Sequence, residues 1–189
     1  MAESTVNDRR TSADDKIIAA TLETLREKGP LAVTVERVAA VSGVARTTIY
    51  RRYADRGEML AAALRGIGVP GAPVHPQLTC EDRLRWLIGT AGSLVVDGIG
   101  MGGVAALITD ADGVFTHAFR DIVEMHHATI REALVGQQGT ELAPGVSTSM
   151  LIDAVVGGLV AEYARRGAIS GDWRDRMFNL YVLLVVDPG

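Results

Sequence analysis

The chain of 189 residues holds a single cysteine, Cys80. One thiol cannot make an internal disulfide framework, and so low a demand for cysteine suits a reducing, cytoplasmic setting. Aromatic residues reach only 5%, and no stretch alternates apolar and polar residues as a half-buried strand would. Proline is scarce, with six residues, all of them at proposed segment ends. Internal repeats are missing too. Long apolar runs are absent. Thr90–Ile108 carries Asp97, and six glycines fall between Gly89 and Gly103; Met150–Ala161 is broken by Asp153. Neither reaches the ~18 apolar residues a bilayer span needs, so no membrane association is expected. The polar opening MAESTVNDRRTSADD has no apolar core, so no secretory signal is expected from it.

What is present is ordinary in amount and uneven in placement. Hydrophobic residues make up 48% and charged residues 22%, which excludes wholesale disorder. Ala, Leu and Val dominate and favour helix. Net charge is −4, but residues 1–65 hold eleven Lys/Arg against nine Asp/Glu, and the remainder holds eight against fourteen. A mildly basic head thus sits on an acidic body.

The chain reads as all-α. Residues 1 to about 12 read as a flexible arm, a solvated tail first and, as the alternative, one whose Arg9 and Arg10 touch a phosphate backbone. Asp14 and Asp15 open a first helix at its positive dipole end, with an apolar stripe Ile18, Leu22, Leu25, and Lys28-Gly29-Pro30 ends it. Within VTVERVAAVSGVARTTIYRRY, residues 33–53, Thr34 is an N-cap and Val38 with Val41 give one buried face. Gly43 supplies the positive φ of a sharp turn. Val44 and Ile49 close the angle from inside. Arg46, Thr47, Thr48, Tyr50, Arg51 and Arg52 then point elsewhere, a surface of hydroxyls, positive charge and one ring that suits a DNA groove. A fourth helix begins near Asp55 or Arg56 and carries Met59, Leu60, Ala63 and Leu64.

GIGVPGAPVHP, residues 66–76, marks a boundary between a head (1–65) and a body (77–189). The body reads as helices over about 81–96, a short one ending near Asp110, 114–135, 147–166 and from Asp172 onward, with GQQGTELAPG as a loop. The last two are apolar around much of their circumference, which predicts a subunit interface through Leu151, Val155, Gly158, Leu159, Tyr163, Leu180 and Leu184.

These first sixty-five residues resemble the DNA-binding head of the tetracycline-repressor (TetR) family. The matching stretches are the first helix ending in Lys28-Gly29, VTVERVAAVSGV, TTIYRRY and ADRGEMLAAAL. The resemblance implies an N-terminal three-helix helix-turn-helix head and a C-terminal helical ligand-binding and dimerisation body. It implies that Thr34 bonds a phosphate, that Thr47, Thr48 and Tyr50 face the major groove or its flanks, that Tyr53 closes the recognition helix, and that Arg56 meets the DNA backbone. Arg46 and Arg51 are less family-like and are either base readers or phosphate contacts. The expected partners are double-stranded DNA, a second copy of the chain, and an apolar or amphipathic small molecule whose binding releases the DNA.

For that molecule Trp86, Met101, Leu107, Phe115, Phe119, Met125 and His126 are the pocket candidates, each of which core packing also explains. His117, His126 and His127 lack the further ligands a metal would need, so no metal is expected. GIGMGG (98–103) has no preceding strand and reads as a bend between helices rather than a dinucleotide loop. No cofactor and no catalysis are expected. The alternative function is a DNA-binding architectural protein without a ligand.

Overall fold

The computed structural model describes residues 12–68, 79–135 and 141–186; Arg9, Arg10, most of the 66–76 boundary and residues 136–140 lie outside them. Helix α1, Ala13–Lys28, starts on a reciprocal cap: the Ser12 hydroxyl accepts from the Asp15 N–H and the Asp15 carboxylate accepts from the Ser12 N–H. It stops at Gly29, whose φ of 78° suits a residue without Cβ. The buried stripe is Ile17, Ala20, Thr21, Thr24 and Leu25, rotated from the expected one, which leaves Ile18 and Leu22 half-buried. Two threonines complete it because their hydroxyls donate to the carbonyls of Ile17 and Ala20, each at 2.8 Å, so burial leaves no polar group unpaired.

Helix α2, Val35–Ser42, is capped by Thr34 and ends at Gly43 in the left-handed conformation. Its core face is Val35 and Val38; Val41 is exposed, against expectation. Helix α3, Arg46–Arg52, buries Ile49. Helix α4, Arg56–Arg65, begins on the Asp55 cap and buries Met59, Leu60, Ala63 and Leu64.

In the body, α5 (Cys80–Ser93) runs through a π-helical turn (Leu94–Ile99) into α6 (Gly100–Thr109). The π-helical turn and Gly100, whose φ of 66° and ψ of 172° are not helical, redirect the chain between α5 and α6. Gly100 has φ 66° and backs onto the backbone of Arg26, where a Cβ would come within 3.0 Å; α6 can cross α1 only because it is glycine. Cys80–Thr109 is one run of 30 residues that is long and apolar enough to cross a bilayer by length and composition. A helix that lies in a folded core passes the same test. Its inner side forms core, with Leu84, Leu87, Ile88 and Ile99 buried.

Helix α7 (Gly113–Val135) packs along α4, and α8 (Thr148–Arg166) and α9 (Trp173–Tyr181) close the body. Glu141–Leu142 and Val185–Val186 form a two-residue antiparallel pair, β1 with β2, that ties the end of the chain to the loop before α8. One core joins α1–α4 to Ile99, Val104, Phe115 and Ile122 of the body. A second lies among α5, the later half of α7, α8 and α9, around Trp173. The class is all-α, as expected.

Candidate nucleic-acid interface and apolar cavity

The turn between α2 and α3 aims α3 outward. Ile49 is fully buried beneath it, and at ~100° per residue Arg46, Tyr50, Thr47 and Arg51 then span one arc of roughly 140° on the opposite side. All four are exposed, Tyr50 at 54%. A helix of this length is ~10 Å long, and the major groove is ~12 Å wide. Thr48 lies off that arc and is half-buried. Thr34 accepts from the Arg37 N–H at 3.2 Å, which leaves its hydroxyl hydrogen for a phosphate. Arg37 is also exposed on α2. Sequence reasoning passed it over because it stood where a capping acid was sought.

Tyr53 closes α3, its backbone N–H donating to the Ile49 carbonyl at 2.9 Å, and one expected contact, Arg56, sits elsewhere. Tyr53 is buried in the core, and burial first, then Asp14, raises its phenol above the ordinary range; it supports α3 from behind. Arg56, expected on the DNA backbone, is turned inward. Its Nε donates to the Val33 carbonyl and its Nη2 to the Pro30 carbonyl, both at 2.6 Å, and the same guanidinium pairs with the Asp112 carboxylate. Asp112 also caps α7 by accepting from the Phe115 N–H at 3.1 Å. Burial alone would raise the Asp112 carboxyl, but the Arg56 hydrogen bond and the α7 N–H groups take it below its usual value. One arginine thereby fastens α4 and the turn before α2 to the first turn of α7. On the other flank, Arg52 bonds Asp14 of α1 at 2.6 Å.

A cavity of about 410 Å³ lies between the α5–α6 run, α7 and α8. Of the expected pocket residues Leu107, Phe119 and His126 line it, with Ile99, Val104, Val156 and Val160. The others fall outside it for separate reasons. Phe115 is fully buried and stacks on Phe119, ring centroids 5.6 Å apart. Trp86 packs on the second core and Met101 beside α1. Met125 is exposed in a groove between α4 and α7. Burial lowers the pKa of His126, opposed by a hydrogen bond to the Ile67 backbone at the end of α4. His127 Nε2 stands 3.5 Å from Asp153 Oδ1 at the rim.

The expected interface residues divide. Leu151, Val155 and Leu159 are buried in the chain's own core, because α9 and α5 already cover that side of α8. Gly158 faces the Met177 sulfur within the same chain, and Leu184 is half-buried. Tyr163 and Leu180 remain exposed, as does Leu183, at 83%.

A short capped helix, a left-handed glycine and a second helix presenting arginine, threonine and tyrosine define a helix-turn-helix DNA-binding regulator on a helical body. Residues 17–63, about a quarter of the chain, match the profile of bacterial regulatory proteins, tetR family. Solved structures agree in fold. A TetR-family transcriptional regulator from Rhodococcus sp. is 19% identical with a TM-score of 0.68, covering 92% of this chain and 98% of its own. FadR from Bacillus subtilis, crystallised with stearoyl-CoA, is 18% identical with a TM-score of 0.64, covering 92% and 98%. The superantigen pfit is 16% identical with a TM-score of 0.60, covering 93% and 90%. At these identities the likeness shows the fold alone. No curated protein matches the sequence.

Proposed function

We propose that this protein is a repressor that binds a near-palindromic operator as a dimer and is released by a small apolar or amphipathic molecule held in the cavity of its body. The observation that carries this reading is continuity. Phe119 and His126 line the cavity from α7, and the same helix is capped by the carboxylate that holds Arg56 of α4. A ligand that moves α7 therefore acts on the helix that positions the head. Release from DNA is then a population shift, limited by the ligand's differential affinity for the two shapes. The neighbour FadR holds stearoyl-CoA, which supports a ligand-bearing body in this fold. About 410 Å³ falls within the usual size of small-molecule sites.

Dimerisation would use what the single chain leaves open: the exposed Gly157, Ala161 and Ala164 side of α8 with Leu180 of α9 and Leu183 of the 3-10 turn (Val182–Leu184) that follows it. Small residues there let a second helix approach closely. Fluorescence anisotropy with an operator recovered by selection tests the scheme. An apolar ligand that stabilises the protein should lower operator affinity, and should fail to do so in Val156→Phe, which fills the cavity. Unchanged operator affinity at saturating ligand would leave the architectural alternative standing.

A further inference from the structure

The charge pattern of the cavity narrows its occupant further, and this inference rests on the cavity being the effector site. Among the described residues that line it, only His126, His127 and Asp153 carry polar side chains; Lys and Arg are absent. His126 is 8% exposed and lies toward the Ile67 backbone, and burial lowers its pKa, which disfavours a cation there. Asp153 is the one carboxylate, with its side chain 76% exposed at the rim. Its neighbour His127 stands at 3.5 Å, too long for a good hydrogen bond, so both carboxylate oxygens retain room to accept. A carboxylate or phosphate on a ligand would meet Asp153 with no fixed cation to offset the repulsion. An ammonium would meet an opposite charge as its apolar body enters among Leu107, Phe119, Ile130 and Val156.

We propose that the cavity takes an apolar molecule carrying a single basic amine, seated with its ammonium against Asp153 and its apolar part inside. The rim carboxylate supplies selectivity and the apolar walls supply most of the affinity, since a solvent-exposed ion pair contributes little.

The test is calorimetric titration of the full chain at neutral pH and low salt with decylamine, decanol and decanoate, each below its aggregation threshold. Decylamine should bind tightest, by about two- to fivefold over decanol, and decanoate weakest. In Asp153→Asn the amine and the alcohol should converge while the alcohol is unchanged. In Asp153→Lys the order should invert, with decanoate first. Both changes sit at an exposed position, so the fold is expected to survive them. Decanoate binding as tightly as decylamine to the unaltered chain, or an amine advantage that persists in Asp153→Asn, would overturn the proposal while leaving the cavity as an effector site. If none of the three binds, the effector reading falls and this inference with it.

Discussion

Arg46, Thr47, Tyr50 and Arg51 touch no buried side of the fold, so their replacement should alter DNA binding without altering melting. Arg46→Ala and Arg51→Ala separate two roles. A bidentate guanine reader loses about 1–3 kcal/mol and its specificity at one operator position. A phosphate contact weakens all sequences alike and lowers the salt slope by about one. Affinity for operator variants across a salt series decides between them; no loss in either variant would remove both residues from the interface. Arg56→Ala belongs to the other category. With three carbonyl and carboxylate partners inside the chain, its loss should lower unfolding free energy by about 1–3 kcal/mol and leave the salt slope alone. Urea unfolding measures the first and DNA titration the second. A flattened slope with undiminished stability would restore Arg56 to the phosphates. Thr34, Gly43 and the TTIYRRY face were legible in the sequence because caps, positive-φ turns and helix faces are decided within a few residues. The inward turn of Arg56 was not, because its acid lies 56 positions away.

At the scale of elements, α7 is both cavity wall and anchor for α4, and Asp112 is where the two meet. Asp112→Asn keeps the cap's shape and weakens the ion pair. It should lower stability and uncouple ligand binding from DNA release, read as a smaller ligand effect on operator affinity. Equal coupling in the variant would place the linkage elsewhere. The corner between α8 and α9 offers a pH prediction. Glu162, 3% exposed, accepts from Ser170 at 2.7 Å and from Arg176 at 2.8 Å, and pairs with Arg165. The Ser170 hydroxyl and then Arg165 hold its pKa down to about 2 from 4.5. A carboxyl depressed on folding stabilises the protein above its unfolded pKa, and that stability is lost as pH falls through the folded value. Unfolding free energy should therefore decline between about pH 4.5 and 2, and Glu162→Gln should flatten that decline while lowering stability at neutral pH. An unchanged acid limb would show that the network is not coupled to folding. Helix positions were largely legible from caps and glycines. The faces were less so, since hydrophobic count alone rotated the α1 stripe and hid Thr21 and Thr24.

For the whole molecule, the apolar character of α8 was read correctly and assigned wrongly in part. Leu151, Val155 and Leu159 serve the chain's own second core, and periodicity cannot say which neighbour a face will meet. Gly157 has open space where a Cβ would stand. Gly157→Arg and Leu183→Asp should shift a dimer toward monomer in sedimentation with little change in melting of the single chain, whereas a persistent dimer would put the interface on another face. Symmetry, head spacing and DNA recognition meet in one observable. The most direct measurement is selection of bound sequences from random DNA by the full-length protein. A dimer with two outward α3 helices predicts an inverted repeat whose half-sites are centred about 10 base pairs, roughly 34–36 Å, apart, with the repeat lost when Arg46 and Arg51 are replaced together. Recovery of sequences with no shared half-site, or of a single unrepeated motif, would contradict the account of this chain as a paired, operator-reading regulator.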